Sequence, residues 1–338
     1  DATMSYSLEY GYIIVLGFPF YMFSMGFNSI VRADGSPVYA MLSTLSGAIL
    51  NTILDPLFIF VFHMGVRGAA IATVLGQVIS CVMTLLYLRR FRCITLTPDC
   101  LLPRWKLCGR VCSLGISSFF LQLAATIVIT VMNNVLVKYG AASKYGAEIP
   151  MTTLGITMKV NQIITGIVIG ISVGSQPIIG YNYGAKLYGR VRQTVRIAVT
   201  VNSVFAVVTT AFILLFPEFF IRLFNSDPAL LEVGAPMLRV YAAGMFVHGP
   251  NSTFQQTYNS LGEGGKAFFF AFLRKIILLI PLLYLLPAVL PWGVLAVMLA
   301  EPISDIVTAV SNALYFRGFL NRKVPKQENE GRVVYDGA

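Results

Sequence analysis

Charge is scarce in this sequence. Asp, Glu, Lys and Arg make up 12% of its 338 residues, while 56% are hydrophobic. A soluble domain carries about twice that share of charge, so a water-soluble globule is excluded. Cysteine is sparse too. Cys81, Cys93, Cys100, Cys108 and Cys112 are odd in number and form no C-x-x-C pair. They read as free thiols facing a reducing compartment, with no disulfide framework. His63 and His248 are the only histidines, and neither has a companion ligand motif. H-E-x-x-H, a P-loop and G-x-S-x-G are all missing, which leaves no signal for an enzyme or a bound cofactor. With no nucleotide site, any work the protein does must draw on an ion gradient. The chain opens at Asp1 without Met and without the regions of a signal peptide. It reads as the remainder of a longer protein.

Hydrocarbon fills the place of charge. Mean hydropathy is +0.74, and apolar runs of about 20 residues recur along the chain. The runs are continuous instead of alternating, which excludes a membrane barrel. The pattern predicts an all-α polytopic membrane protein with nine spans, at 8–29, 38–62, 67–88, 111–137, 151–177, 193–216, 229–258, 267–288 and 291–316. The net charge of +10 is spread between apolar runs, so it marks topology and not a nucleic-acid partner. One set of alternate loops, with the tail, holds nineteen Lys and Arg, counting Arg274 and Lys275 among them; the opposite set holds Arg67, Lys138, Lys144 and Arg222. The positive-inside rule puts the first set and the C-terminus in the cytoplasm, leaving Asp1 outside.

An internal repeat organises the spans. Trp292 to Glu301 (WGVLAVMLAE) aligns without a gap to Met64 to Thr73 (MGVRGAAIAT), and Ser260 to Ala267 resembles the turn around Gly35. The last three helices thus echo the first three in a parallel repeat. The middle three have no partner in the chain. Two six-helix halves, the first lacking its first three helices, are the expected architecture.

Asn51-Thr52-Ile53-Leu54-Asp55-Pro56 places an acid within the apolar stretch Ala40 to Val61. Asn51 and Asp55 share one helix face a turn apart. Pro56 removes an N–H and so frees the Thr52 carbonyl as a further oxygen ligand. A carboxylate, an amide and a carbonyl suit a proton or a small cation; the competing reading is a proline kink with polar neighbours that satisfy loosened backbone. The repeat pairs Thr73 with Glu301 and Gln77 with Asp305, each pair four residues apart. These are expected to line a space between the halves, or alternatively to form a buried network that ties helices together. Glu301-Pro302 repeats the acid–proline step and should free the Met298 carbonyl. Tyr10 either brings a hydroxyl toward Asp55 or anchors the interface. Asn133, Asn134, Asn161, Gln122, Gln162 and Gln176 read mainly as interhelical glue, and Lys159 and Arg239 as snorkelling cations.

Several stretches in order resemble the multidrug and toxic compound extrusion (MATE) family, in its bacterial multidrug-pump branch. They are Arg32 to Pro37 (RADGSP), Asn51 to Phe60 (NTILDPLFIF), Gly65 to Thr73 and Gly174 to Ala185 (GSQPIIGYNYGA). The resemblance implies an incomplete version of a twelve-helix, two-lobe transporter fold. Residues 1–88 would form a partial first lobe with family helices four to six. Residues 89–110 would be a cytoplasmic inter-lobe loop, 111–316 the second lobe and 317–338 a cytoplasmic tail. It also implies export of small organic cations or drugs in exchange for H+ or Na+, from a monomer in the bacterial inner membrane. The family's first-lobe cation site maps onto Asn51 and Asp55 in the fifth helix, Thr73 in the sixth and Tyr10 in the fourth. Its remaining aspartate belongs to the first helix, which this sequence lacks. Some relatives carry an acid in the seventh helix; here that span has none, and Gln122 is the nearest polar candidate. A substrate cavity would draw on Glu301, Asp305, Gln77 and Gln122. A lipid-linked sugar or polysaccharide flippase, or a non-transporting fragment, is the alternative.

Overall fold

The structure is a computed structural model that describes residues 2–91, 105–141 and 146–325. Cys93 and Cys100, most of the expected 89–110 loop, Lys144 and the tail beyond residue 325 lie outside the described residues. Among those described, helix is the only regular structure. Nine helical segments are long and apolar enough to cross a bilayer, from Tyr6–Ala33 to Val294–Lys323. Each overlaps one expected span, because a run of apolar side chains in lipid has helix as its only way to satisfy its backbone.

The chain divides into two compact units, 1–103 and 104–338. In the first, α1 (Ala2–Ala33), α2 (Pro37–Pro56) and α3 (Gly65–Tyr87) pack together, with α3 against both others. The turn between α1 and α2 is held by Tyr87, whose hydroxyl lies 2.8 Å from Asp34 Oδ2 and 2.7 Å from Ser36 Oγ. Asn28 donates to the Ala40 carbonyl at 2.7 Å and ties the two helices above it. At the other end, Arg67 forks onto Glu9 through two hydrogen bonds of 2.9 and 2.7 Å.

The second unit comprises α4 (Trp105–Ala141), α5 (Glu148–Gly184), α6 (Tyr188–Leu215), α7 (Pro217–Arg222), α8 (Pro228–Ala242), α9 (His248–Ser260), α10 (Gly264–Phe272), α11 (Ile280–Val289) and α12 (Val294–Lys323). Its most enclosed spans are Pro228–Ser260, 56% buried, and Val294–Lys323, 61% buried. Side chains set at their depth are therefore cut off from both lipid and water. Leu238, Met237, Leu279, Leu283 and Met298 are fully buried around them. A second cluster gathers Phe270, Phe316 and Phe319 about the buried Tyr258, whose hydroxyl donates to Asn312 Oδ1 at 2.9 Å. Glu263, in the turn before α10, bonds Lys323 at 2.7 Å and Lys266 at 3.1 Å. Those ammonium groups, Lys323 foremost, hold its carboxyl below the ordinary range.

The repeat is written in the backbone. Gly65 and Gly293, aligned by the sequence, have φ of +55° and +52°, and Gly35 and Gly262 have +83° and +75°. Only glycine adopts that region without strain. Each repeat also contains one stretch of π-helix, Leu57–Val61 after Pro56 and Leu273–Leu279 between α10 and α11. The first matches the disruption expected of Pro56. Pro302 behaves otherwise: α12 runs through it unbroken.

Arg274 and Lys275 lie well inside the span Gly264–Val289, as the expected span 267–288 also has them. They therefore do not count with the loops, and the basic side of the charge count becomes seventeen.

Candidate functional site

In the first unit, α2 carries Asn51 and Asp55 one turn apart, and α3 brings Thr73 alongside. The Asn51 amide nitrogen donates to Asp55 Oδ1 at 3.3 Å and to Thr73 Oγ1 at 3.4 Å. Thr73 in turn donates to the Ala69 carbonyl at 2.9 Å, so its oxygen is free to accept from Asn51. This contact depends on two glycines. A Cβ on Gly76 would stand 2.6 Å from the Gly47 carbonyl oxygen and 3.2 Å from Asn51 Cβ. Larger residues would push α2 and α3 apart and separate Asn51 from Thr73.

A cavity of about 210 Å³ opens beside the triad, with Asn51, Thr73, Gln77, Ser80 and Tyr21 in its walls. Gln77 Oε1 is turned away from it, buried against Gly17 of α1, and among the described residues it has no hydrogen-bond partner. An unpaired acceptor in such a place costs about 1–3 kcal/mol unless something donates to it. Asp55 is half-buried and is not in the cavity wall; it joins through Asn51. Tyr10 is 38% exposed and makes no hydrogen bond to the triad. Gln122 is exposed on α4. The structure thus brings Asn51, Asp55, Thr73 and Gln77 together and leaves Tyr10 and Gln122 out.

The chemistry available is specific. A half-buried carboxylate, a hydroxyl and an amide offer oxygen ligands to a hard cation, or one acceptor to a proton. As arranged, the Asn51 amide turns its nitrogen to Asp55 and Thr73. A bound cation would require the amide to turn its oxygen inward, whereas a proton on Asp55 would not.

The second unit departs from expectation. Glu301 and Asp305 were expected to present negative charge to a cavity, but both are buried and neutralised. Arg274 Nη2 lies 3.3 Å from Glu301 Oε1, and Arg274 Nε pairs with Asp305 Oδ1. Asp305 Oδ2 also lies 2.7 Å from His248 Nε2. Side-chain exposure is 9% for Glu301, 3% for Asp305 and 20% for Arg274, so no cargo has free access to either acid. The π-helical turn accounts for it: the wider turn carries Arg274 inward, and Ser304 satisfies the loosened Arg274 carbonyl with a hydrogen bond of 2.6 Å. These contacts tie α12 to the Leu273–Leu279 turn and to α9, the arrangement the buried-network alternative describes. Lys159 is exposed, and Arg239 reaches the Leu214 carbonyl at 3.2 Å. Asn161 bonds the Tyr241 hydroxyl at 3.1 Å.

Arg274 and His248 are the residues that pattern reading missed. A basic pair within an apolar run was the available signal for Arg274. For His248 it was the presence of a lone imidazole inside a span. Cys81, Cys108 and Cys112 are free thiols. Among the described residues no group of three or more His, Cys, Asp or Glu converges as a metal site.

The fold has counterparts. The family model described as MatE matches residues 123–285. The multidrug export protein MepA of Staphylococcus aureus (strain NCTC 8325 / PS 47) is 25% identical over 313 residues, covering 92% of this chain and 67% of that protein. MepA of Staphylococcus haemolyticus is 25% identical over 308 residues, covering 91% of this chain and 66% of that protein. An outward-facing multidrug resistance MATE transporter superposes with a TM-score of 0.85 at 21% identity, over 94% of this chain and 70% of that one. A MOP superfamily transporter from Pyrococcus furiosus gives the same score, identity and coverage. The nine bilayer-length helices among the described residues, the repeated turns and these relatives, all transporters and none an enzyme, make the chain a multi-pass membrane protein similar in sequence and fold to multidrug and toxic compound extrusion (MATE) transporters.

Proposed function

We propose that the protein exports small organic cations in exchange for protons or sodium by alternating access, with Asp55 as the coupling carboxylate. The observation that carries this reading is the hydrogen-bonded triad of Asn51, Asp55 and Thr73 beside a cavity whose walls include Asn51 and Thr73. An acid kept within a span is costly and, by default, functional. The relatives named as multidrug export proteins support the cargo class. Binding of the driving ion at Asp55 would loosen its bond to Asn51 and, through Thr73, alter the cavity wall. The ion then biases the protein between two states by binding one of them better. We take the protein to be a monomer in the bacterial inner membrane, as the resemblance implies, with its C-terminus in the cytoplasm on the strength of seventeen basic residues against four.

The test is transport of a fluorescent organic cation by the chain in vesicles, driven in turn by a proton and a sodium gradient. Asp55→Asn should retain helical content and thermal stability yet lose gradient-driven transport under both. Full transport by that variant would remove Asp55 from the mechanism. A folded wild-type chain that moves nothing under either gradient would favour the non-transporting fragment. The flippase reading calls for cations facing cargo beside the coupling site; among the described residues none lines the cavity next to the triad, and Lys159 and Arg239 are both exposed.

A further inference from the structure

The second unit holds a larger cavity, of about 880 Å³, between the start of α6 and the end of α12, with α9 at its floor. Its chemistry divides in two. Phe254 of α9 stacks on Phe316 of α12, ring centres 4.2 Å apart, and Leu314 extends this apolar surface. Three arginines share the same cavity: Arg192, Arg196 and Arg317. Among the described residues no acidic side chain lines it.

The arginines are not equivalent. Arg192 is engaged, donating from Nε to the Val324 carbonyl at 2.8 Å and from Nη2 to Asn321 Oδ1 at 3.0 Å. It closes the C-terminal end of α12. Arg196 and Arg317 are exposed into the cavity, and among the described residues neither side chain has an ion-pair or hydrogen-bond partner. Arg196 lies eight residues inside α6 from Tyr188, and Arg317 six residues inside α12 from Lys323. At about 1.5 Å per residue, the two stand roughly 12 and 9 Å below their helix ends. A guanidinium held there without a protein counter-charge needs an anion from elsewhere.

We propose that this groove binds one anionic phospholipid, its phosphate held by Arg196 and Arg317 and an acyl chain laid along Phe254, Phe316 and Leu314. The union of paired cations with an adjoining apolar wall distinguishes a lipid from a free anion, which would use only the cations. The site is separate from the Asp55 triad and does not depend on its role.

The full chain is reconstituted into nanodiscs of equal parts phosphatidylglycerol and phosphatidylcholine, then released gently, and retained lipids are counted by native mass spectrometry. The wild type should retain phosphatidylglycerol over phosphatidylcholine. Arg196→Gln with Arg317→Gln should reduce that preference by about tenfold, while Arg196→Lys with Arg317→Lys should keep most of it. Ala313→Trp, which fills the apolar wall and leaves both guanidiniums in place, should also release the lipid. Arg222→Gln, at an arginine already paired with Glu218, should change nothing. Wild-type retention in the double Gln variant would overturn the proposal, as would displacement of the lipid by inorganic phosphate. Unchanged thermal unfolding of each variant separates loss of the site from loss of the fold.

Discussion

Arg274 carries a large single-residue consequence. It is the cation that makes two buried carboxylates, Glu301 and Asp305, tolerable in the most enclosed part of the second unit. Removing one partner from a buried ionic group costs more than replacing the whole group, because the remaining charge is stranded. Arg274→Met should therefore destabilise the protein by about 3–5 kcal/mol, seen as a fall in thermal unfolding temperature in detergent. Adding Glu301→Gln and Asp305→Asn should recover much of the loss. Unfolding of Arg274→Met at the wild-type temperature would show that the acids are not held by this pairing. The contrast with the first unit lies in the same register positions: Thr73 and Gln77 stand where Glu301 and Asp305 stand, yet line a cavity. The two halves share a backbone plan and differ in chemistry.

Among elements, the crossing of α2 and α3 sets the first unit's site. The helices meet at Gly47 and Gly76, close enough that a Cβ on Gly47 would lie 2.4 Å from the Gly76 carbonyl oxygen. Backbone cannot give way as a flexible side chain can. Gly76→Val should cost about 1–3 kcal/mol and part Asn51 from Thr73, weakening any ion-dependent change in the cavity. Gly170→Ala on α5 meets nothing within 4 Å and should leave stability unchanged or raise it by roughly 0.5–1 kcal/mol. Thermal unfolding of the two variants side by side distinguishes them; equal behaviour would mean the α2–α3 contact is looser than the structure has it. The π-helical stretches act at this scale as well. Each is a local widening that re-aims the side chains around it, and the one at Leu273–Leu279 decides that Arg274 faces acids instead of lipid.

At the scale of the whole molecule, nine crossings and the distribution of Lys and Arg make orientation testable. In a cysteine-free background, Ser226→Cys, in the turn before α8, should react with a membrane-impermeant maleimide added to intact cells. Lys186→Cys, in the turn before α6, should react only after permeabilisation. The opposite pattern would invert the topology and move the C-terminus outside. The relatives extend over about half as much length again as this chain covers, so cargo and coupling are questions for transport measurement and not for homology alone.

Much of this was legible along the chain. Apolar runs predicted nine helices because in lipid an unpaired backbone leaves no other choice. Glycine-marked turns and the matching WGVLAVMLAE and MGVRGAAIAT segments exposed the repeat, and four-residue spacing put Asn51 beside Asp55. These are one-dimensional facts, set by neighbours within a turn or two. What tertiary structure alone decided were meetings across dozens of residues: Thr73 with Asn51, Arg274 with Glu301 and Asp305, and His248 with Asp305. Tyr10 and Gln122 stayed out for the same cause. The direction in which a side chain leaves its helix depends on how that helix is wound and what it packs against, and periodicity records neither.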